Sequence, residues 1–111
     1  MALARVSAFT TKKTGTTAPQ QTWTFAIDTT AAAGTCIILA IATDGYSAGT
    51  NNQDNSLVST ITDTKGNTWT KIKEWMSKYD STYTSNVSVW QGVIATQIVA
   101  GTDTLTMTTA G

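Results

Sequence analysis

The sequence predicts an all-β protein, an antiparallel β-sandwich of about seven short strands in a single domain over residues 1–111. Three observations carry that expectation. Threonine makes up roughly one residue in four or five, well above ordinary usage, and its β-branched side chain suits strands while keeping an exposed face soluble without charge. Glu74 and Pro19 are the only residues of their kinds, and the scarcity of Glu, Leu and Lys argues against helices. Short runs that alternate apolar and polar residues recur between turn signals, with loops long enough to pass between two sheets, which favours a sandwich over a barrel.

Leu3 to Thr10 reads as a first, edge strand, and the polar run from Thr11 to Gln20, broken by Gly15 and Pro19, as a loop. Trp23, Phe25 and Ile27 alternate with Thr22, Thr24, Ala26 and Asp28, a half-buried strand with its aromatic face inward. Thr29 to Thr35 is too brief for a stable helix and reads as a connection. Cys36 to Thr43 is the most apolar run, with Ile37, Leu39 and Ile41 on one face and Cys36, Ile38, Ala40 and Ala42 on the other. Apolar residues on both faces predict a central strand with another layer close against its small face. Cys36 is then a small buried hydrophobe rather than a reactive thiol. Asp44 to Asn55 reads as a long loop.

The chain is organised around Ser56 to Met76, where two β-like runs flank Asp63-Thr64-Lys65-Gly66-Asn67. Gly and Asn accept positive φ most easily, so this stretch predicts a tight hairpin at the centre of a sheet. Leu57 and Ile61 share a face of its first strand. Trp69 and Ile72 differ in parity, so either a bulge near Thr70-Lys71 brings both inward or one points outward, and Trp75 raises the same question. Ser77 to Asn86 reads as a second polar loop. Val87 to Ile94 is a strand with Val87, Val89 and Val93 on one face and Trp90 and Ile94 on the other. The run from Gly101 to Thr109 closes the fold with Leu105 and Met107 inward.

Asp63-x-x-Gly66-Asn67-x-Trp69, the strand bearing Val89-Trp90, and the run Ala100-Gly-Thr-Asp-Thr-Leu-Thr-Met107 together resemble immunoglobulin-like or jelly-roll β-sandwich proteins encoded by bacteriophages and in bacterial genomes. The likeness covers the second half of the chain and rests on turn and strand signatures. It implies a virion decoration or tail-associated role, or an adhesive module, and carries over no catalytic residues. Such domains commonly continue past this last strand, whereas the sequence stops at Ala110-Gly111. That difference fits either an open sheet edge completed by a strand from a neighbouring chain or a fold with fewer strands.

Seven basic and seven acidic residues cancel, so no electrostatic footprint for nucleic acid or an anionic membrane is present. No apolar run is long enough for membrane insertion, and the start at Met1 lacks a secretory pattern, so synthesis in the cytoplasm is expected. Without histidine, Ser-His-Asp and Cys-His machinery and His metal ligands are absent, and one cysteine excludes a cysteine-built zinc site. No phosphate-binding glycine loop occurs. Glu74, the remaining glycosidase candidate beside an aspartate, reads as a solvated or paired surface charge. Asp44, Asp54 and Asp63 with Asn51, Asn52, Asn55 and Asn67 match no calcium loop and are explained by turn chemistry.

The aromatics are the better lead. Trp23 and Trp69 suit the core. Trp75 and Trp90 fit core or interface equally, and Tyr46, Tyr79 and Tyr83 fall in expected loops. The sequence therefore predicts a non-enzymatic structural protein without cofactor or metal, in a virion, acting by self-association or on other virion proteins. The alternative is a carbohydrate-binding or adhesion module on an extracellular surface, using Trp75, Trp90, Tyr46, Tyr79 and Tyr83.

Overall fold

The computed structural model describes residues 22–46, 58–78 and 83–109. Six strands lie within them: β1 (Thr22–Ala26), β2 (Cys36–Tyr46), β3 (Val58–Asp63), β4 (Thr68–Lys78), β5 (Tyr83–Val93) and β6 (Thr104–Thr109). They make two antiparallel three-stranded sheets, β1-β6-β3 and β2-β5-β4, and the described residues include no helix. The expected strand over Leu3–Thr10 and most of the expected loop after Tyr46 lie outside the described residues.

The alternation read in the sequence places the core. Leu105 and Met107 of β6 are buried, and Phe25 and Trp23 stand opposite them on β1 and pack against the same cluster. On β3 the ladder to β6 shifts between Val58 and Thr60, so that Val58 and Ile61, of opposite parity, both turn inward. The second sheet contributes Trp69 and Trp90, with Ile37, Leu39 and Ile41 packed against them, so both sheets share one apolar cluster. Each such residue, fully buried, contributes about 1.5–3 kcal/mol relative to exposure.

The structure corrects the expected hairpin. β3 and β4 do not pair: β3 pairs with β6 and β4 with β5, so Thr64–Asn67 carries the chain from one sheet to the other. This crossing puts Ile61 and Trp69 on different sheets of one core cluster. Gly66 supplies the positive φ, 73°, and donates its amide to the Asp63 carbonyl at 3.2 Å. The Asp63 carboxylate gathers the rest. Its Oδ1 accepts from the amides of Lys65 (2.7 Å) and Asn67 (3.3 Å), and Oδ2 accepts from the indole Nε1 of Trp69 (2.7 Å).

Asn67 then clasps a second crossing. Its Oδ1 accepts from the amides of Ala95 and Thr96 at 2.9 and 2.8 Å, and its Nδ2 donates to the Thr96 carbonyl. Those residues begin the β5–β6 connection, which returns to the first sheet. Farther along, Ile98 exchanges two backbone hydrogen bonds with Ala31 of the β1–β2 connection. Three crossings between sheets are thus joined to one another.

β2 is also corrected. Its two-faced apolar pattern predicts a central strand, but among the described residues β5 occupies the centre of this sheet and β2 pairs on one side only. Cys36 is accordingly exposed, not buried. The long strands also absorb residues expected in loops: Asp44–Tyr46 in β2, Ser77–Lys78 in β4 and Tyr83–Asn86 in β5. Polar residues with good strand preference, such as Thr and Tyr, extend the ladders where polarity alone suggests loops.

Candidate interaction surface

A bulge in β4 decides what each side of the second sheet presents. Lys71 pairs with Trp90 and Lys73 with Val89, which leaves Ile72 as the extra residue. The parity conflict therefore does mark a bulge, but one that turns Ile72 outward instead of burying it. Upstream of it Trp69 and Lys71 face inward. Downstream the phase is reversed, so Glu74 turns inward and Trp75 outward.

Glu74 is paired, as one expectation had it, but within the fold and not out on the surface. Lys71 Nζ donates to its Oε1 at 2.6 Å, while Asn86 Nδ2 and the Val58 amide donate to Oε2 at 2.9 and 3.0 Å. Val58 belongs to β3, so this carboxylate bridges the two sheets. Lys71 Nζ also lies 5.3 Å from the Trp90 ring centroid, and the Trp90 indole donates to Ser88 Oγ. Burial pushes the Glu74 carboxyl up, but the hydrogen bonds from Lys71, Asn86 and Val58 and the attraction of Lys71 outweigh it and hold it below its ordinary 4.5. Asp103 is held below its ordinary 3.8 chiefly by the Val99 amide and the Thr64 hydroxyl, against partial desolvation, with help from Lys65.

Both folded carboxyls are more acidic than in the unfolded chain, so the unfolded state binds more protons as acid is added. The stability they contribute is complete above their ordinary values and is lost as pH falls through the lower folded values. Urea titrations from pH 7 to pH 2 are expected to show a plateau and then a decline beginning near pH 4.5. Glu74→Gln should lower stability on the plateau by about 1–3 kcal/mol, because Lys71 keeps its charge without a counter-ion. The variant should also flatten the acid decline. An unchanged decline would assign it to other groups.

The outer side of the same sheet is apolar. Ladder pairing arranges it in rows across β4, β5 and β2: Thr68–Val93–Cys36, Thr70–Gln91–Ile38, Lys73–Val89–Ala40 and Trp75–Val87–Ala42. Ile38 is 60% exposed, Trp75 54%, Ile72 and Val93 53% each, and Val87 43%. Ala40, Ala42 and Cys36 are exposed beside them. Lys73 is the one charged side chain in these four rows. The first sheet is the opposite: its outer side pairs Thr22 with Thr108, Thr24 with Thr106 and Thr62 with Thr106. One chain thus has a hydroxyl face and a hydrocarbon face. Large contiguous apolar surface is uncommon on a monomer and marks interaction sites.

The aromatics singled out in the sequence separate here. Trp75 stands on the apolar face. Trp90, weighed for an interface, is in the core at 4% exposure, because its parity on β5 places it beside Ser88 and Ile94 on the inward side. The backbones of Tyr46 and Tyr83 pair at the far end of the β2–β5 ladder, so both belong to strands and not loops. Their side chains, and the whole of Tyr79, lie outside the described residues. Of the Asp and Asn residues weighed for calcium, Asp63 and Asn67 are engaged in the turn, and the Asp44 side chain and Asn51, Asn52, Asp54 and Asn55 lie outside the described residues. Among the described residues no group of three or more Cys, Asp or Glu is placed to hold a metal, and no helix is long and apolar enough to cross a membrane.

Ile38, Ile72, Val87 and Val93 were not singled out as interface residues. Their signal was present, since β2 and β5 are both apolar on two faces. That pattern predicts another layer against β2 and also supports self-association, without picking out these four residues. The chain matches no family model, no curated protein and no solved structure.

Proposed function

We propose that this chain is a non-enzymatic structural protein of a larger assembly, joined to its neighbours through the outer face of the β2-β5-β4 sheet. The carrying observation is that face itself, with Ile38, Ile72, Trp75, Val87 and Val93 exposed together. Burying such side chains against protein contributes on the order of 25 cal/mol per Å² of apolar area, a drive toward association and not toward catalysis. The two sheets are taken as an antiparallel sandwich of the immunoglobulin-like or jelly-roll kind. The setting is a phage virion, with the chain as a decoration or tail-associated protein, which is what the Asp63–Trp69 and Ala100–Met107 motifs suggest by resemblance.

A test is immunolabelling of particles from the native source by electron microscopy. Regular labelling of particles supports the proposal, and antigen found only in the soluble fraction overturns it. Val87→Asp places a charge on the central strand of the face, between Trp75 and Ala42, and should reduce incorporation at least about tenfold, from the cost of burying an unpaired charge. Trp75 also keeps a glycan reading alive, because an exposed indole can stack on a sugar. Its row partners Val87 and Ala42 offer no hydrogen-bonding side chain to orient hydroxyls, which favours protein as the partner. Glycan-array binding that is lost in Trp75→Ala would reverse that preference.

A further inference from the structure

The occupant of the apolar face can be named from its own relief. Large and small residues face each other across β5: in the row of Val87, Trp75 on β4 stands opposite Ala42 on β2, and in the row of Gln91, Ile38 on β2 stands opposite Thr70 on β4, with Val87, Val89, Gln91 and Val93 on β5 between them. We infer that the face pairs with the same face of a second copy of this chain, about a two-fold axis running along β5. The inference rests on the protein-contact reading above and specifies its partner.

Rotation about such an axis keeps every residue at its height along the strand and exchanges the two sides. β5 then lies over β5, and β4 of each copy lies over β2 of the other. Because Trp75, Val87 and Ala42 form one row, each Trp75 meets the Ala42 of the other copy, and Val87 meets Val87 on the axis. In the next row Lys73 lies over Ala40 at the rim, where its stem covers the methyl group and its ammonium reaches water. The two Gln91 amides meet on the axis, each able to donate and accept. Large residues over small ones are what an isologous interface requires of a single patch. Two aligned sheets about 10 Å apart accept this arrangement within their ordinary twist of roughly 30°.

Charge agrees. A face whose four rows hold Lys73 alone offers nothing to steer an acidic or basic partner, whereas a second copy brings the same near-neutral hydrocarbon.

Sedimentation equilibrium of the whole chain over a wide concentration range is expected to show a reversible dimer. Trp75→Ala should raise its Kd by roughly thirtyfold, the effect of truncating a large aromatic buried in an interface. Ala42→Trp should do the same, because two indoles then compete for one space. The exchange Ala42→Trp with Trp75→Ala should restore association, since the bulky and small members of that row merely swap. Circular dichroism checks the fold of each variant. Val87→Cys in a Cys36→Ser background should cross-link copies through a short bifunctional maleimide. A monomer at all concentrations, a dimer indifferent to positions 42 and 75, an exchange that fails to restore it, or no cross-link at position 87 overturns the pairing. A monomeric chain that still enters particles would overturn this inference while leaving the assembly role in place.

Discussion

Asp63→Ala is expected to lower the stability of the fold by about 3–4 kcal/mol, seen as a lower urea midpoint with an unchanged slope. One carboxylate serves the amides of Lys65 and Asn67, the Asn67 side chain and the Trp69 indole. Lys65 is exposed and its amide can turn to water. The indole cannot, since Trp69 is part of the core, and an unmatched buried donor costs about 1–3 kcal/mol by itself. The remainder comes from Asn67, which loses its support while it holds Ala95 and Thr96 of the next crossing. Asp63→Asn separates the two contributions. It can keep an oxygen toward the turn amides but sets an NH₂ against the indole N–H. A double-mutant cycle of Asp63→Asn with Trp69→Phe should therefore show coupling of about 1–2 kcal/mol. Coupling near zero would mean that the indole is satisfied elsewhere.

The same turn shows where sequence reading stopped. Asp63-x-x-Gly66-Asn67-x-Trp69 announces a turn because Gly66 takes positive φ and Asx side chains collect nearby amides. Both features serve a hairpin and a crossing between sheets equally well. What separates them is the partner of β3, and that is β6, more than forty residues away, through a ladder no local pattern encodes. Period-two alternation is legible in β5 and β6, as Leu105 and Met107, or Trp90 and Ile94 against Val87 and Val93, attest, and is broken by the bulges of β3 and β4. It assigns sides, not neighbours.

The interaction face was half legible for a related reason. Two-faced apolar strands say that both faces need covering but not by whom. A layer of the same chain and a second chain leave the same mark in sequence, whereas the structure shows Ile38 and Val93 exposed. The inward turn of Glu74 was hidden more deeply. It depends on a single extra residue, Ile72, and on the reach of Lys71 back across the bulge. Parity at Trp69 and Ile72 showed that the phase must break without showing which residue would be left over.

Gly92→Ala is expected to destabilise the protein by about 3 kcal/mol, an unusually large effect for one methyl group on a strand. Gly92 is the β5 residue between Ile37 and Trp69 in the two ladders, on the inward side. The Trp69 ring lies flat across it. A Cβ there would stand 2.5 Å from Cζ3 and 2.7 Å from Cε3 and Cη2. A flexible side chain would swing aside, but this ring is held at its other end, where Nε1 donates to Asp63 Oδ2 at 2.7 Å. Moving it would break that bond and loosen the crossing from β3 to β4. The methyl group must instead force β5 away from β4 or drive the indole off its rotamer. Trp69→Leu should relieve the clash, so the double variant should be more stable than the sum of the two single effects predicts, by about 1 kcal/mol or more. Near-ultraviolet circular dichroism gives an independent reading, because Gly92→Ala should change the indole signal even under fully folding conditions. A neutral Gly92→Ala with an unchanged indole signal would mean that the ring is free to move, and the carboxylate at Asp63 would then not be the anchor that fixes it.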